Sequence, residues 1–222
     1  MIIMSDEIEI NVKGVKLGGE LNLPPKALGL VLFAHGSGSS RHSPRNQFVA
    51  RTLREAGVGT LLFDLLTAEE EETEAHTRHL RFNIPMLAER LVAATRWALD
   101  EGTTRDINLG YFGSSTGAAA ALVAAAELGE KISAVVSRGG RPDLAGDALE
   151  RVSAPTLLIV GGDDTQVIAL NEEASVRLRC EKALRIIPGA SHLFEEPGAL
   201  EQVAKMASEW FADHLQPMAR AR

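Results

Sequence analysis

Two serines stand between two glycines in the stretch YFGSSTGAAAAL, residues 111–122. Only Ser115 has a glycine two positions away on both sides, at Gly113 and Gly117. In the pattern G-x-S-x-G, a serine can be held in a strained turn between strand and helix, where small neighbours avoid a collision. The alternative is a glycine-rich turn in which a serine merely caps the following helix. The choice depends on whether the chain supplies the partners that a nucleophile needs.

A histidine and a pair of aspartates are the candidates for those partners. His192 follows an apolar run at 183–188 and is placed to act as a general base. Asp163 and Asp164 follow another apolar run at 154–160, and a carboxylate there could fix the tautomer of the histidine. Because the two aspartates are adjacent, their side chains point in different directions, and we expect only one of them to meet His192. The chain thus contains a candidate nucleophile, acid and base, in the order serine, aspartate, histidine.

Apolar runs that alternate with helical patterns predict the framework that positions these residues. Segments 7–12 and 15–23 flank Lys13 and Gly14 and predict an antiparallel hairpin. Further strands are predicted at 28–34, 58–64, 107–112, 132–137, 154–160 and 183–188, and helices at about 44–56, 84–101, 116–129, 166–180 and 198–214.

Runs that are apolar on both faces are typical of parallel strands covered by helices. The pattern therefore predicts an α/β fold: an eight-stranded, mostly parallel sheet with an N-terminal antiparallel hairpin and helices on both faces. Ligands bind such sheets beyond the carboxyl ends of the strands, so the candidate nucleophile, acid and base all fall at the binding edge.

These motifs resemble those of a known family. The order serine, aspartate, histidine is that of an α/β-hydrolase, in which G-x-S-x-G forms the nucleophile elbow. The chain resembles the dienelactone hydrolase-like branch of that superfamily over essentially its whole length. The resemblance implies Asp164 as the triad acid, because Gly161, Asp164 and Val167 match the family pattern G-x-x-D-x-x-V. Asp163 is then expected to shape the loop.

The resemblance also implies an oxyanion hole made of two backbone N–H groups. Thr116 follows the nucleophile and supplies one donor. The segment HGSG after the third strand resembles the oxyanion segment of the family, which places the second donor at Ser37 and gives His35 the role of shaping the loop.

One departure from the family concerns the nucleophile. Dienelactone hydrolases proper use cysteine, whereas this chain has Ser115 there and keeps its single cysteine, Cys180, in a predicted helix. We therefore expect Cys180 to have a packing role, and dienelactone cannot be assumed as the substrate.

Two arginines in the segment SRGGRPD suggest a charge preference. Arg138 and Arg141 follow the sixth predicted strand and so border the site. A guanidinium binds carboxylate or phosphate through a planar fork of donors, so an anionic group on the substrate would explain both. The alternative is that they pair with local acids such as Asp143, Asp147 or Glu150 and only hold the loop.

Composition narrows the class of protein. The 222 residues carry a formal net charge of −7, which argues against a nucleic-acid or anionic-membrane surface. We expect one domain over residues 1–222 and a cytoplasmic protein, because the start of the chain lacks a signal-peptide pattern and no run approaches about 18 apolar residues. The oligomeric state is not indicated by the sequence.

The sequence thus predicts a serine hydrolase that cleaves an ester or related acyl bond of a small molecule without a cofactor. No metal is expected, because His76 and His79 have helical spacing but no clear third ligand.

Segment 138–154 is too short for a large cap, so the lid should be minimal. The acidic run 68–78 is expected to be an exposed loop or helix. The alternatives are a catalytically silent ligand binder with this fold, and an acyltransferase or perhydrolase with the same triad.

Overall fold

An eight-stranded sheet runs through the centre of the computed structural model, which describes residues 4–77 and 79–216. The strands are β1 (Met4–Val12), β2 (Val15–Leu23), β3 (Leu30–Ala34), β4 (Gly59–Phe63), β5 (Leu109–Ser114), β6 (Ile132–Arg138), β7 (Thr156–Gly161) and β8 (Lys182–Ile187). Their order across the sheet is β1-β2-β4-β3-β5-β6-β7-β8. Strand β2 is antiparallel to both of its neighbours, and all other neighbouring pairs are parallel. The predicted mostly parallel sheet is confirmed.

The predicted N-terminal hairpin is also confirmed. Val12 pairs with Val15 across a two-residue turn, in which Lys13 and Gly14 have φ values of 52° and 88°. Two central residues with positive φ are what a tight turn needs in order to match the twist of the flanking strands.

Helices cover both faces of the sheet. They are α1 (Pro44–Glu55), α2 (Ala68–Thr77), α3 (Ile84–Asp100), α4 (Thr116–Leu128), α5 (Thr165–Arg177) and α6 (Ala199–His214). Helices α1 and α6 pack on one face, and α3 and α4 on the other, which gives two apolar cores separated by the sheet. Within the described ranges, no helix combines the length and the apolar character that crossing a membrane requires.

Strand β5 and helix α4 position the candidate nucleophile between them. Every residue of β5 is buried, and the alanines at the start of α4 are fully buried because their small side chains let the helix approach the sheet closely. The buried Tyr111 hydroxyl lies 2.6 Å from Thr95 Oγ1, which ties β5 to α3. The strand-to-helix junction is therefore fixed by packing on both sides.

The acidic run after β4 is less exposed than the sequence suggests. Helix α2 occupies most of it, but Glu74 is only 1% exposed and accepts hydrogen bonds from two backbone N–H groups and from Arg81. Glu70 makes a two-pronged pair with the buried Arg90 at 2.5 and 2.6 Å, and that hydrogen bonding holds the pKa of Glu70 below its usual range. The expected exposed helix is thus correct in part: most of its described residues are exposed, but Glu70 and Glu74 are not, because they have partners outside the helix.

Candidate active site

Ser115 occupies a strained turn between β5 and α4. Its φ and ψ are 51° and −123°, a conformation that non-glycine residues rarely adopt. The turn is held by its own backbone: Ser115 N–H donates to the Arg138 carbonyl at 3.3 Å, and the Ser115 carbonyl accepts from Arg141 N–H at 3.1 Å. The side chain makes no capping hydrogen bond to α4, so Ser115 does not fit the alternative of a simple helix cap.

The two glycines beside the serine are required by close packing. A Cβ atom on Gly113 would lie 2.4 Å from the Cα of Ala118, inside the following helix. A Cβ atom on Gly117 would lie 2.1 Å from the Ala34 carbonyl oxygen, at the end of β3. Both serines line a cavity, but Ser114 is only 4% exposed, whereas Ser115 is half-buried and occupies the strained position.

His192 and Asp164 are in direct contact. His192 Nδ1 lies 2.6 Å from Asp164 Oδ2. Asp164 precedes the first residue of α5, yet its side chain does not cap that helix, which leaves the carboxylate for the imidazole. The neighbouring Asp163 is exposed and its side chain makes no hydrogen bond within the described residues. The structure therefore brings His192 together with Asp164 and not with Asp163.

Backbone hydrogen bonds join the loops that carry this pair. Gly162 N–H donates to the Ile187 carbonyl at 2.8 Å, and Asp163 N–H donates to the Ala190 carbonyl at 3.0 Å. A Cβ atom on Gly161 would lie 2.3 Å from the same Ala190 oxygen. Glycine at the start of the G-x-x-D pattern thus lets the loop after β7 lie directly against the loop after β8.

Ser115 and His192 line the same cavity, which has a volume of about 160 Å³. Within the described residues, the Ser115 side chain makes no hydrogen bond, so the hydroxyl and the imidazole share a cavity without being bonded to each other. Contacts between a nucleophile and its base often tighten only when the substrate is bound.

The loop after β3 lies against the start of α4. Ser37 Oγ is 3.0 Å from Thr116 Oγ1, which joins the two segments that the sequence predicts as oxyanion donors. In the described part of the chain, neither the Ser37 N–H nor the Thr116 N–H donates a hydrogen bond to another residue. One of these unused backbone donors belongs to Ser37, which lines the cavity that Ser115 borders, and the other belongs to the residue that directly follows Ser115.

His35 holds this loop in place. Its Nε2 accepts a hydrogen bond from Leu65 N–H at 2.8 Å, so its Nδ1 carries the proton and donates to the Gly36 carbonyl at 3.0 Å. The ring is buried, and burial lowers the pKa of His35, which keeps the imidazole neutral. Gly36 in turn packs against Ser115, since a Cβ atom on it would lie 3.0 Å from the serine Cβ.

The two arginines predicted to border the site have different environments. Arg141 donates to Asp143 through Nε at 2.9 Å and Nη2 at 2.7 Å, and this pairing raises its pKa. It is absent from the residues that line the cavity, so for Arg141 the structure fits the alternative of a local pair that holds the loop. Arg138 lines the cavity and is 7% exposed.

Arg45, in the first turn of α1, is a cavity-lining residue that the sequence analysis did not single out. The rule that ligands bind beyond strand ends could have found it, because residues 35–45 follow β3 directly. That rule marks the loop and the start of the helix but not the direction in which a side chain points.

Two other expectations concern metal and cysteine. Among residues 4–77 and 79–216, no group of three or more histidine, cysteine, aspartate or glutamate side chains is arranged to hold a metal ion. Cys180 lies between α5 and β8, not in a helix as predicted, because α5 ends at Arg177. The thiol is partly buried against the core, and burial raises its pKa, which is consistent with a packing role.

A strained serine between β5 and α4, with a His–Asp pair on loops after β7 and β8, is the arrangement of an α/β-hydrolase. A family model described as an alpha/beta hydrolase domain matches residues 27–216. The chain therefore belongs to the alpha/beta-hydrolase family, in its dienelactone hydrolase-like branch.

Solved structures show the same similarity. A dienelactone hydrolase from Anabaena variabilis is 60% identical, with a TM-score of 0.94 that covers 96% of this chain and 99% of that chain. Est1E from Butyrivibrio proteoclasticus, solved with ferulic acid bound, has a TM-score of 0.79 over 93% of this chain and 98% of that chain. Because it is only 20% identical, the similarity shows a shared fold alone.

Curated relatives in Mycobacterium tuberculosis have a different kind of name. A putative phosphoribosyl transferase from strain H37Rv is 54% identical over 213 residues, which is 96% of this chain and 47% of that protein. The chain thus spans about half the length of the curated relatives it matches.

Proposed function

We propose that the chain is a serine hydrolase that cleaves an ester or related acyl bond of a small molecule through an acyl-enzyme. One observation carries the proposal. Ser115 has a strained backbone conformation and does not cap α4, and it lines the same cavity as His192, whose Nδ1 is hydrogen-bonded to Asp164. Nucleophile, base and orienting acid are the three groups that acyl transfer at a serine requires.

In the proposed first step, Ser115 Oγ attacks the acyl carbon while His192 Nε2 takes the hydroxyl proton. The negative charge that develops on the carbonyl oxygen is stabilised by the unused N–H groups of Ser37 and Thr116. Collapse of this intermediate breaks the bond to the leaving group, which receives the proton from His192. Water, deprotonated by His192, then attacks the acyl-enzyme, and the acid product leaves with Ser115 restored.

The proposed role of Asp164 is electrostatic. Its carboxylate accepts a hydrogen bond from the Nδ1–H of His192, with 2.6 Å between nitrogen and oxygen, which leaves Nε2 with a free lone pair. It also stabilises the imidazolium that forms during attack, without being protonated itself.

The proposed substrates are small. The segment between β6 and β7 contains only short 3-10 turns at Pro142–Arg151, so this segment forms no large cap, and the cavity holds about 160 Å³, which leaves little room for a long acyl chain. The name of the Anabaena variabilis relative supports an ester or lactone substrate. The transferase name of the mycobacterial relatives belongs to chains about twice as long, of which this chain matches 47%.

The experiment that tests the proposal compares the two adjacent serines. We expect Ser115→Ala to lose both covalent labelling by a fluorophosphonate and hydrolysis of p-nitrophenyl esters, because Ser115 is the cavity serine that the strained turn holds between strand and helix. Ser114→Ala is the matched control and should keep its labelling. Labelling that persists in Ser115→Ala would refute the assignment.

The same assay separates the remaining candidates. A silent ligand binder would give neither labelling nor turnover in the wild-type protein. An acyltransferase or perhydrolase would label at Ser115 but transfer the acyl group preferentially to an added alcohol or to hydrogen peroxide.

A further inference from the structure

Arg138 is a buried cation without a partner. Its side chain makes no ion pair and no hydrogen bond within the described residues, and its Nε is fully buried without a partner atom. The guanidinium carbon lies over the ring of Phe194, 5.8 Å from the ring centroid. Burial and the nearby Arg45 lower its pKa to about 10, so it remains a cation at neutral pH. A buried charge without a counter-ion is costly.

Other arginines with little exposure show how this chain treats such charges. Arg41, Arg81 and Arg90 have side chains that are 22%, 24% and 7% exposed, and each one pairs with a carboxylate. Arg138 is about as buried as Arg90, but within the described residues its guanidinium forms no ion pair with a carboxylate. Because the fold pairs these comparable arginines, we take the unpaired state of Arg138 to reflect a requirement of the site.

A second cation borders the same cavity. Arg45 reaches it from α1, and its Nε is also buried without a partner. Among the described residues, the only acid that pairs with it is Glu195, at 3.2 Å, and that carboxylate is 64% exposed. Solvent screens such a pair, so Glu195 offsets little of the positive charge inside the cavity. No carboxylate lies among the residues that line this cavity.

We propose that Arg138 and Arg45 form an anion subsite, which binds a carboxylate or phosphate group of the substrate beside the acyl bond that Ser115 attacks. This subsite rests on the proposed function for its relation to the reacting bond. A guanidinium presents a planar fork that suits both kinds of anion, and binding would supply the counter-charge that Arg138 lacks.

The position of Arg138 also limits the length of the substrate. The Arg138 carbonyl accepts a hydrogen bond from the Ser115 N–H, so the backbone that carries the guanidinium is fixed beside the proposed nucleophile. Both lie within one cavity of about 160 Å³. The anionic group should therefore be separated from the acyl carbon by only a few bonds.

Paired substrates test this proposal. The mono-p-nitrophenyl ester of glutaric acid carries a free carboxylate, and p-nitrophenyl pentanoate has the same carbon chain without the charge. We expect wild type to prefer the anionic ester, and Arg138→Gln to reduce the anionic-to-neutral ratio of kcat/KM about 10- to 100-fold, as expected when a charged hydrogen bond is lost. Arg138→Lys, which keeps the charge but not the fork, should give an intermediate ratio.

Two further variants protect the test against misfolding. Arg45→Gln changes a partly exposed helix residue and should lower the same ratio by about three- to tenfold. Arg141→Gln is the matched control, because its guanidinium lies in the same loop but is bound to Asp143; its ratio should equal that of wild type. Equal losses on both esters in Arg138→Gln and Arg45→Gln, or a wild-type ratio near one, would overturn the subsite.

A binding readout separates this proposal from the function it rests on. Glutarate and inorganic phosphate, at constant ionic strength, should each raise the Tm of wild type but not that of Arg138→Gln, and the larger shift identifies the kind of anion. If wild type neither reacts with a fluorophosphonate nor cleaves either ester, the hydrolase function fails while the Tm shifts still decide the subsite. If Ser115 is labelled but neither the Tm nor the anionic-to-neutral ratio of kcat/KM depends on the anion, the subsite is overturned and the hydrolase function stands.

Discussion

The substitution Asp164→Asn should separate the catalytic role of this residue from any structural role. It replaces a carboxylate with an amide of nearly equal size. In the wild type, Asp164 Oδ2 accepts a hydrogen bond from His192 Nδ1 at 2.6 Å. If the amide donates to Nδ1, the ring proton moves to Nε2, which then cannot accept the proton of Ser115. If the amide oxygen accepts instead, the charge that stabilises the imidazolium is still lost.

The magnitude follows from comparable triads. Substitutions that impose the wrong tautomer lower kcat by about 10⁴, which corresponds to about 5 kcal/mol of transition-state stabilisation. Stability should change little, because the Asp164 side chain does not cap α5 and its only side-chain hydrogen bond within the described residues is the one to His192. We therefore expect a large loss of kcat with a Tm within a few degrees of wild type.

Asp163→Asn is the matched control. Its side chain is exposed, and the backbone N–H that binds the Ala190 carbonyl is kept in the variant. The assay is kcat for a p-nitrophenyl ester together with the rate of fluorophosphonate labelling, both measured on variants that melt cooperatively. A larger loss in Asp163→Asn than in Asp164→Asn, or a comparable loss in Asp143→Asn, would refute the reasoning and move the acid to another residue.

Two further predictions concern the oxyanion loop. Gly117→Ala should lower the free energy of unfolding by about 1–3 kcal/mol, or Tm by about 2–12 °C, because its Cβ would lie 2.1 Å from the Ala34 carbonyl oxygen. Gly102→Ala is the control, since a Cβ there has 3.9 Å of clearance. Equal Tm values for the two variants would contradict the packing argument. Burial lowers the pKa of His35 from 6.5, so the unfolded chain takes up a proton that the folded chain resists, and stability should be lost as pH falls below about 6.5. The free energy of unfolding of His35→Gln should therefore decline less steeply between pH 7 and 5 than that of wild type. The variant His42→Gln, at an exposed histidine, is the control and should decline as steeply as wild type. Identical slopes in all three proteins would show that His35 does not cause the loss of stability at low pH.

The framework was predictable because each part of it leaves a local signal. Strands β3 to β7 are covered on both faces and are therefore largely apolar, whereas β8 lies at the edge of the sheet and is partly exposed. The observed bounds of β3 to β8 differ from the predicted ones by at most two residues. The elbow and the acid loop were predictable from spacing for a similar reason. Gly113, Gly117 and Gly161 stand where a Cβ would collide with backbone atoms, so their spacing records close approaches between segments.

Partnerships between distant side chains left no such signal. The acids of α2 looked exposed because nothing in the sequence shows that Arg90, 20 residues later, reaches Glu70 from α3. Arg138 and Arg141 looked equivalent in sequence, yet a difference of three positions gives one of them Asp143 as a partner and leaves the other in the cavity. Such outcomes depend on the path of each loop and on rotamers, which the pattern of residue types does not determine.

Backbone strain in this chain coincides with the cavity, and that coincidence supports a functional origin. Among the described residues, four that are not glycine have positive φ; two of them, Lys13 and Lys26, lie in turns. The other two are Ser115 and Phe194, the second of which is 1% exposed and places its ring beside Arg138. Each strained residue costs on the order of 1–3 kcal/mol and persists only where its surroundings fix it. One of these two residues is the proposed nucleophile and the other lies beside the unpaired cation, so the fold accepts a cost in stability where the proposed chemistry and the proposed anion subsite meet.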